Sequence, residues 1–176
     1  MHPVKLFAVA AVAVSAAPLA TLVSRDAPIA HDLGIINDDT VNLKAKIDEY
    51  DGGKLDAIPV KNAGKKLGKH IKSGTGNIEN ASPISSADSQ GVIDYINNTL
   101  EPNLNEAMSA LGAKEHKIAK ADLKGSVKKQ LCASKSKADA LGAGLVAKIA
   151  ADKQGAAQAA VAKVDADLGD AAQRFS

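Results

Sequence analysis

Apolar positions recur along this chain at intervals of three and four, the spacing that brings side chains onto one face of an α-helix. Leu33, Ile36, Thr40, Leu43, Ile47 and Tyr50 follow one another in this way. They predict a helix over about 32–51, stopped by Asp51-Gly52-Gly53. A second helix over about 54–72 is expected to face inward with Leu55, Val60, Ala63, Leu67 and Ile71, Pro59 either kinking it or marking its first turn. Ser73 to Ala81, with Gly74, Gly76, Asn77 and Asn80, reads as the clearest loop. A third helix starts at Ser85 or Ser86, an N-cap followed by an early acidic residue. It runs through Val92, Ile93, Ile96, Leu100, Leu104, Met108 and Leu111, with a kink expected at Pro102.

After Gly112 comes a Lys-rich region with Ile118, then Leu123, Val127, Leu131, Ala138, Leu141, Leu145 and Ile149. This is either one long helix or a short turn followed by a helix from about 122. A final helix over about 155–175 carries Ala160, Val164, Leu168, Ala171 and Phe175. Sustained alternation of period two is lacking. The expected fold class is all-α, a bundle of about five amphipathic helices.

The N-terminal 25 residues read differently. Lys5, the apolar run Leu6 to Val14 and Ser15-Ala16-Ala17 have the order of a secretory signal peptide. Ser24-Arg25-Asp26 offers a second trimming point, so 1–25 is assigned to a signal peptide with room for a short pro-segment, and 26–176 to a single helical-bundle domain. Pro18 and the Ala/Ser content make Leu6 to Val23 a poor membrane anchor, and no transmembrane anchor is expected elsewhere. The 22 Lys and Arg face 20 Asp and Glu, and Lys5 and Arg25 fall in the leader, so the remainder is neutral. The expected product is secreted and extracellular.

Past the leader the aromatic residues are Tyr50, Tyr95 and Phe175, so Ala, Leu, Ile and Val must fill the core. The segment from Ala138 to Ala172 holds 14 Ala. Such small residues either bring helices close together or leave an elongated apolar cavity between helices held apart by larger neighbours. Cys132 is the one cysteine, which excludes an intramolecular disulfide framework and a multi-Cys zinc site. It is either buried and inert or exposed and able to pair between chains.

The motif search points away from catalysis, with no nucleophile elbow, zinc-protease motif or phosphate loop. Gly142-x-Gly144-x-x-Ala147 imitates a dinucleotide fingerprint but lies within a helical pattern with no strand before it. His31, His70 and His116 lack metal-ligand spacing, and the latter two sit among lysines where a solvated role is expected. Asp38-Asp39 and Asp48-Glu49 are expected as solvated charge on the outer face of the first helix. Neither a cofactor nor a metal is expected, and a neutral chain with so few aromatics does not suit nucleic acid.

Lysines mark two regions: Lys54, Lys61, Lys65, Lys69 and Lys72, then Lys114, Lys117, Lys120, Lys124, Lys128 and Lys129. They either pair with the acidic groups of the first helix or attract anionic headgroups or a ligand carboxylate. Two N-glycosylation sequons are present, Asn80-Ala81-Ser82 in the expected loop and Asn97-Asn98-Thr99 flanking the apolar face of a helix.

A leader ending near Arg-Asp is followed by a first helix that carries Ile36, Leu43 and Ile47 in the pattern Ile-x-x-x-x-x-x-Leu-x-x-x-Ile and ends in Asp-Gly-Gly. The segment Ala87 to Met108 contains Leu-x-Pro-x-Leu at Leu100 to Leu104, and a Lys-rich segment and a Leu-rich helix come after it. Over about 30–175 this layout resembles the fungal hydrophobic surface-binding protein A and cell-wall galactomannoprotein family. The resemblance implies a secreted, non-enzymatic helical bundle that binds hydrophobic surfaces or fatty acids and other lipids. It also implies a cell-wall setting, with cell-wall polysaccharide or a secreted hydrolase as candidate partners. The alternatives are a structural mannoprotein without ligand and a soluble effector that sequesters host lipids. The chain departs from wall-anchored members in having no long Ser/Thr-rich stalk or lipid-anchor signal. If a cavity holds an acyl chain, the residues expected to line it are Leu43, Ile47, Leu67, Ile71, Ile96, Leu100, Leu104, Leu131 and Leu145. A lysine of the second helix would then meet the carboxylate.

Overall fold

A computed structural model describes residues 27–176, with side chains from Ile29 onward, so the leader expected over 1–25 lies outside the described residues. The described residues form helices and contain no strand. They are α1 (Ala27–Glu49), α2 (Ala57–Asn80), α3 (Ser86–Tyr95), a π-turn (Ile96–Leu100), α4 (Glu101–Ala113), α5 (Glu115–Lys120), α6 (Lys124–Lys148), a 3-10 turn (Ala151–Lys153) and α7 (Gln154–Arg174).

α1 begins five residues before the expected start because Ile29, 1% exposed, continues the inner face by one more turn. It ends where expected, with Gly52 at φ 122° and Gly53 at φ 94° reversing the chain. Ser85 is the N-cap of α3, its hydroxyl accepting from the Asp88 N–H at 3.1 Å. Pro102 lacks an N–H and would press on the carbonyl four residues earlier. The chain passes it without stopping: Ile96–Leu100 widens into a π-turn in which Ile96 accepts from the Glu101 N–H. Thus α3, the π-turn and α4 make one interrupted stave. The Lys-rich region resolves into short α5, a turn in which Asp122 takes φ 58°, and then α6.

The expected loop over 73–81 is helix as far as Asn80. Glycine at 74 and 76 disfavours helix by about 1 kcal/mol each, and tertiary contact outweighs this. Gly74 is buried where a Cβ would already touch Asp32, Ile36 and Leu141, so two helices approach α2 at that point. Ile78 is fully buried, and Asn77 Nδ2 donates to both oxygens of Asp32 at 3.2 and 2.9 Å. Leu55 departs in the other direction. It lies on the turn before α2 and is 79% exposed instead of facing inward. Pro59 falls in the first turn of α2, where its missing donor is tolerated.

Five staves close into a ring in the order α1, α2, α6, α7, α4 and back to α1. Cross-contacts give their directions. Asp39 meets Lys66 while Asp32 meets Asn77, so α1 and α2 are antiparallel. Gly64 faces Gln130 and Gly74 faces Leu141, so α2 and α6 are parallel. The ring returns through Gly142 against Val161, Asn105 with Asp167, and Asn103 with Asn37. Helices spaced 8–10 Å apart in a ring of five have axes roughly 7–8 Å from the centre, leaving a lumen about 2 Å in half-width beyond the helix cylinders. A ring of four would leave about 1 Å or less by the same geometry. Large aromatic side chains could fill the extra space, but this chain has almost none.

Two expectations about charge are corrected. Asp39 is 3% exposed and not solvated, and it contacts Lys66 Nζ at 2.9 Å and His70 Nδ1 at 2.6 Å. His70 therefore has a structural partner and not a purely solvated role. Asp39 faces α2 from the side of the apolar stripe, which is wide enough in a ring to meet two neighbours. Asp38, Asp48 and Glu49 are exposed as expected, and Cys132 is exposed on α6.

Gly142 sets the distance between α6 and α7, since a Cβ there would overlap Val161 Cγ1. Val161 is β-branched and cannot swing aside cheaply. Gly142→Ala is therefore expected to lower stability by about 1–2 kcal/mol despite alanine's better helix propensity. Adding Val161→Ala should recover most of the overpacking loss, which a urea-unfolding double-mutant cycle will measure.

Candidate functional site

The lumen is not completely filled. A cavity of about 230 Å³ occupies one end of the ring, and a second of about 70 Å³ lies further along it. About 15 Å³ on this measure suffices for one water, and an apolar void near 150 Å³ accepts benzene. The larger space thus exceeds an ordinary packing defect.

Of the nine positions expected to line a cavity, Leu43, Ile47, Leu67, Leu104 and Leu131 border the larger one. Ile71, Ile96, Leu100 and Leu145 border the smaller. Leu67, Leu104, Ser134 and Leu168 border both, so a single layer of side chains separates them. The far end of the ring is closed by Ile78, Val92 and Ile149. Ser89 seals the same end: its hydroxyl is fully buried and accepts from the Ala150 N–H at 3.0 Å.

The larger cavity reaches the surface between the start of α2 and the start of α6, where exposed Lys54, Ile58, Lys61 and Ser126 join its lining. Gly64 and Gln130 face each other across the two helices beside this mouth. Lys114 borders the cavity too, but its ammonium donates to the carbonyls of Asp48 and Tyr50 at 2.9 and 2.8 Å and so caps the end of α1. Lys54 and Lys61 have no carboxylate within ion-pair distance among the described residues. Nearby, Lys117 hydrogen-bonds Asp51 and holds its carboxyl below the usual carboxylate range, with Lys114 adding to the effect.

Tyr50 lines the cavity at 4% exposure, and its hydroxyl is buried without a hydrogen-bond partner among the described residues. A buried, unsatisfied hydroxyl costs about 1–3 kcal/mol. Apolar spacing had marked Tyr50 only as a core position. Ile118, Leu123, Val127 and Gln130, which complete this end of the wall, were not expected in the site because the α5–α6 boundary lay among lysines. Their spacing of five, four and three residues carries the turn at Asp122 within it.

No group of three or more His, Cys, Asp or Glu is placed to hold a metal ion among the described residues. None of the described helices is long and apolar enough to cross a membrane. The geometry suits one kind of chemistry, the sequestration of slender apolar matter with a polar end left at the mouth.

Comparison with known proteins agrees with this architecture. AfMp4p in complex with palmitic acid superimposes with a TM-score of 0.81 at 27% identity, covering 85% of this chain and 99% of that one. Ligand binding domain 2 of the Penicillium marneffei MP1 protein, complexed with multiple arachidonic acids, gives 0.82 at 19% identity over 88% and 98% of the two chains. At that identity the second match speaks for the fold alone. Cell wall mannoprotein 1 of Aspergillus fumigatus is 30% identical over 129 residues, 73% of this chain. The aligned region spans 44% of that relative's length. The model of hydrophobic surface binding protein A matches residues 27–147, from the first turn of α1 almost to the end of α6. The chain belongs to the hydrophobic surface binding protein A family.

Proposed function

We propose that this protein binds a fatty acid, holding the acyl chain in the lumen of the ring and the carboxylate at the mouth. The observation that carries this reading is the cavity of about 230 Å³, walled by aliphatic side chains and opening beside Lys54 and Lys61. The AfMp4p complex with palmitic acid supports the same ligand class. Chain methylenes are the natural occupant, since about 0.8 kcal/mol is gained for each one removed from water. The smaller cavity extends the path for longer chains once the Leu67–Leu104–Leu168 layer changes rotamers. At the mouth Lys61 supplies charge, and within the wall the Tyr50 hydroxyl is a buried donor that lacks a partner.

The protein acts by binding and not by catalysis, and its place of action is outside the cell, at or near the wall. Of the two sequons, Asn80 is the one we assign to glycosylation. It is exposed at the end of α2, and its side chain gives up one bond to the Gly76 carbonyl at 2.7 Å. Asn97 is half-buried and bonded at both ends, to the Ile93 carbonyl and Lys163.

Titration of the delipidated chain with palmitate, followed by calorimetry and native mass spectrometry, tests the main reading. Saturation at a fixed small ratio, with a mass gain equal to bound palmitate, is expected. Uptake that rises with added hydrophobic surface and never saturates with monomeric palmitate would refute the cavity and point to coating.

A further inference from the structure

We propose that the mouth end of the ring docks on an anionic phospholipid bilayer, and that the acyl ligand passes directly between bilayer and cavity there. The second half rests on the fatty-acid reading above.

Leu55 is 79% exposed and Ile58 48% exposed, whereas the Leu and Ile of the staves are buried almost throughout. Isolated exposed apolar residues are common and mean little. These two differ in position. They share one turn, the Ile58 N–H donating to the Leu55 carbonyl at 3.0 Å, and Ile58 also lines the cavity mouth. An apolar path therefore runs from the tip at Leu55, past Ile58 and Val60, into the lumen. Gly52 and Gly53, in backbone conformations that other residues rarely adopt, project this turn beyond the end of α1.

Charge around the tip selects the partner. Lys54, Lys61 and Lys65 on the α2 side, with Lys120, Lys128 and Lys129 on the α5–α6 side, are all exposed. No carboxylate lies within ion-pair distance of any of them among the described residues. The neighbouring acids are largely neutralised: Asp48 by Lys44, Glu49 by Lys46, Asp51 by Lys117 and Glu115 by Lys124. Asp56 and Asp122 remain. An apolar tip ringed by unpaired lysines fits an anionic interface, where the tip enters the acyl boundary and the ammoniums meet headgroup phosphates. A neutral solid would leave the lysines without partners, and a second copy would bring like charges together. Ligand handed over at this contact never has to cross water as a free acyl chain.

The test uses the delipidated secreted protein, with its leader removed, in flotation assays with phosphatidylcholine vesicles, with and without phosphatidylglycerol. Binding to the anionic vesicles is expected to be at least tenfold tighter and to weaken with added salt. Leu55→Asp should weaken it about tenfold. Lys65→Gln/Lys128→Gln/Lys129→Gln should weaken it about hundredfold, each lysine contributing roughly fivefold. None of these residues lines the cavity, so palmitate affinity measured without vesicles should be unchanged in both variants. Transfer of a fluorescent fatty acid from protein to anionic vesicles should accelerate in proportion to vesicle concentration. Equal affinity for neutral and anionic vesicles overturns the docking, whatever the palmitate titration shows. A transfer rate indifferent to vesicle concentration overturns direct passage. Loss of palmitate binding with flotation intact counts against the fatty-acid reading and leaves docking supported.

Discussion

Leu131→Trp is expected to reduce fatty-acid affinity at least about 100-fold, some 2.8 kcal/mol, while leaving the bundle as stable as before or more so. Leu131 is 6% exposed and points from α6 into the larger cavity. Enlarging a core residue normally forces neighbours off their rotamers. Here the indole has a void of about 230 Å³ to enter. Each 50 Å³ of void filled returns roughly 1.2 kcal/mol of stability. The acyl chain then loses its place.

Leu131→Ala should do the reverse, lowering stability by about 2–5 kcal/mol while keeping or improving ligand uptake. Thermal unfolding and palmitate titration of both variants give opposite signs for the two properties. A coating mechanism, in which the bundle opens and spreads, would be indifferent to a single residue in this way. Undiminished palmitate binding by folded Leu131→Trp would refute the assigned site.

The second large effect concerns the contact between α1 and α2. Lys66→Met/His70→Phe is expected to destabilise the protein by about 3–5 kcal/mol, because it strands the Asp39 carboxylate away from water. Asp39 is 3% exposed and has both oxygens engaged, Oδ1 by Lys66 at 2.9 Å and Oδ2 by His70 at 2.6 Å. For a chain of this size the melting temperature should fall by roughly 10 °C. Asp39→Ala alone should cost less. Its partners, with side chains 62% and 31% exposed, can turn to solvent when the carboxylate is gone.

Adding Asp39→Asn to the double variant should therefore recover much of the loss, an unusual rescue in which a third substitution repairs the first two. Circular dichroism melts of the single, double and triple variants decide the matter. A double variant melting within a degree or two of the parent would show that Asp39 reaches water without its partners.

These effects are not equally visible in the chain. The ends of α1 and α3 follow from Gly52-Gly53 and Ser85, because turn reversal and N-capping depend on a few adjacent residues. The inner faces of α1, α4 and α7 follow from spacing for the same local reason. The helix over 73–80 is not legible in the sequence, because the intrinsic cost of glycine points to a loop and only contact with α1 and α6 shows what Gly74 permits. Local sequence gives no sign that Asp39 is buried, because its partners Lys66 and His70 are brought to it by a different helix. The periodicity of α2, continued one turn too far, places Leu55 inward, whereas the helix begins only at Ala57.

The candidate site divides in the same way. That Leu43, Ile47, Leu67, Leu104 and Leu131 face inward is a property of each helix alone, set by residue type and a period of 3.6. Whether inward-facing residues meet or leave a space depends on how many helices share the axis and how closely they approach. Close packing and a cavity are therefore both compatible with the Ala-rich segment. The ring of five decided between them, since its lumen is wider than these aliphatic side chains can fill. Residue type and spacing along the chain are enough to specify an all-α protein with aliphatic inner faces and almost no aromatic filling. That those faces enclose a space, where its mouth opens and which lysines are left unpaired around it follow from packing, because each depends on distances between helices far apart in the chain.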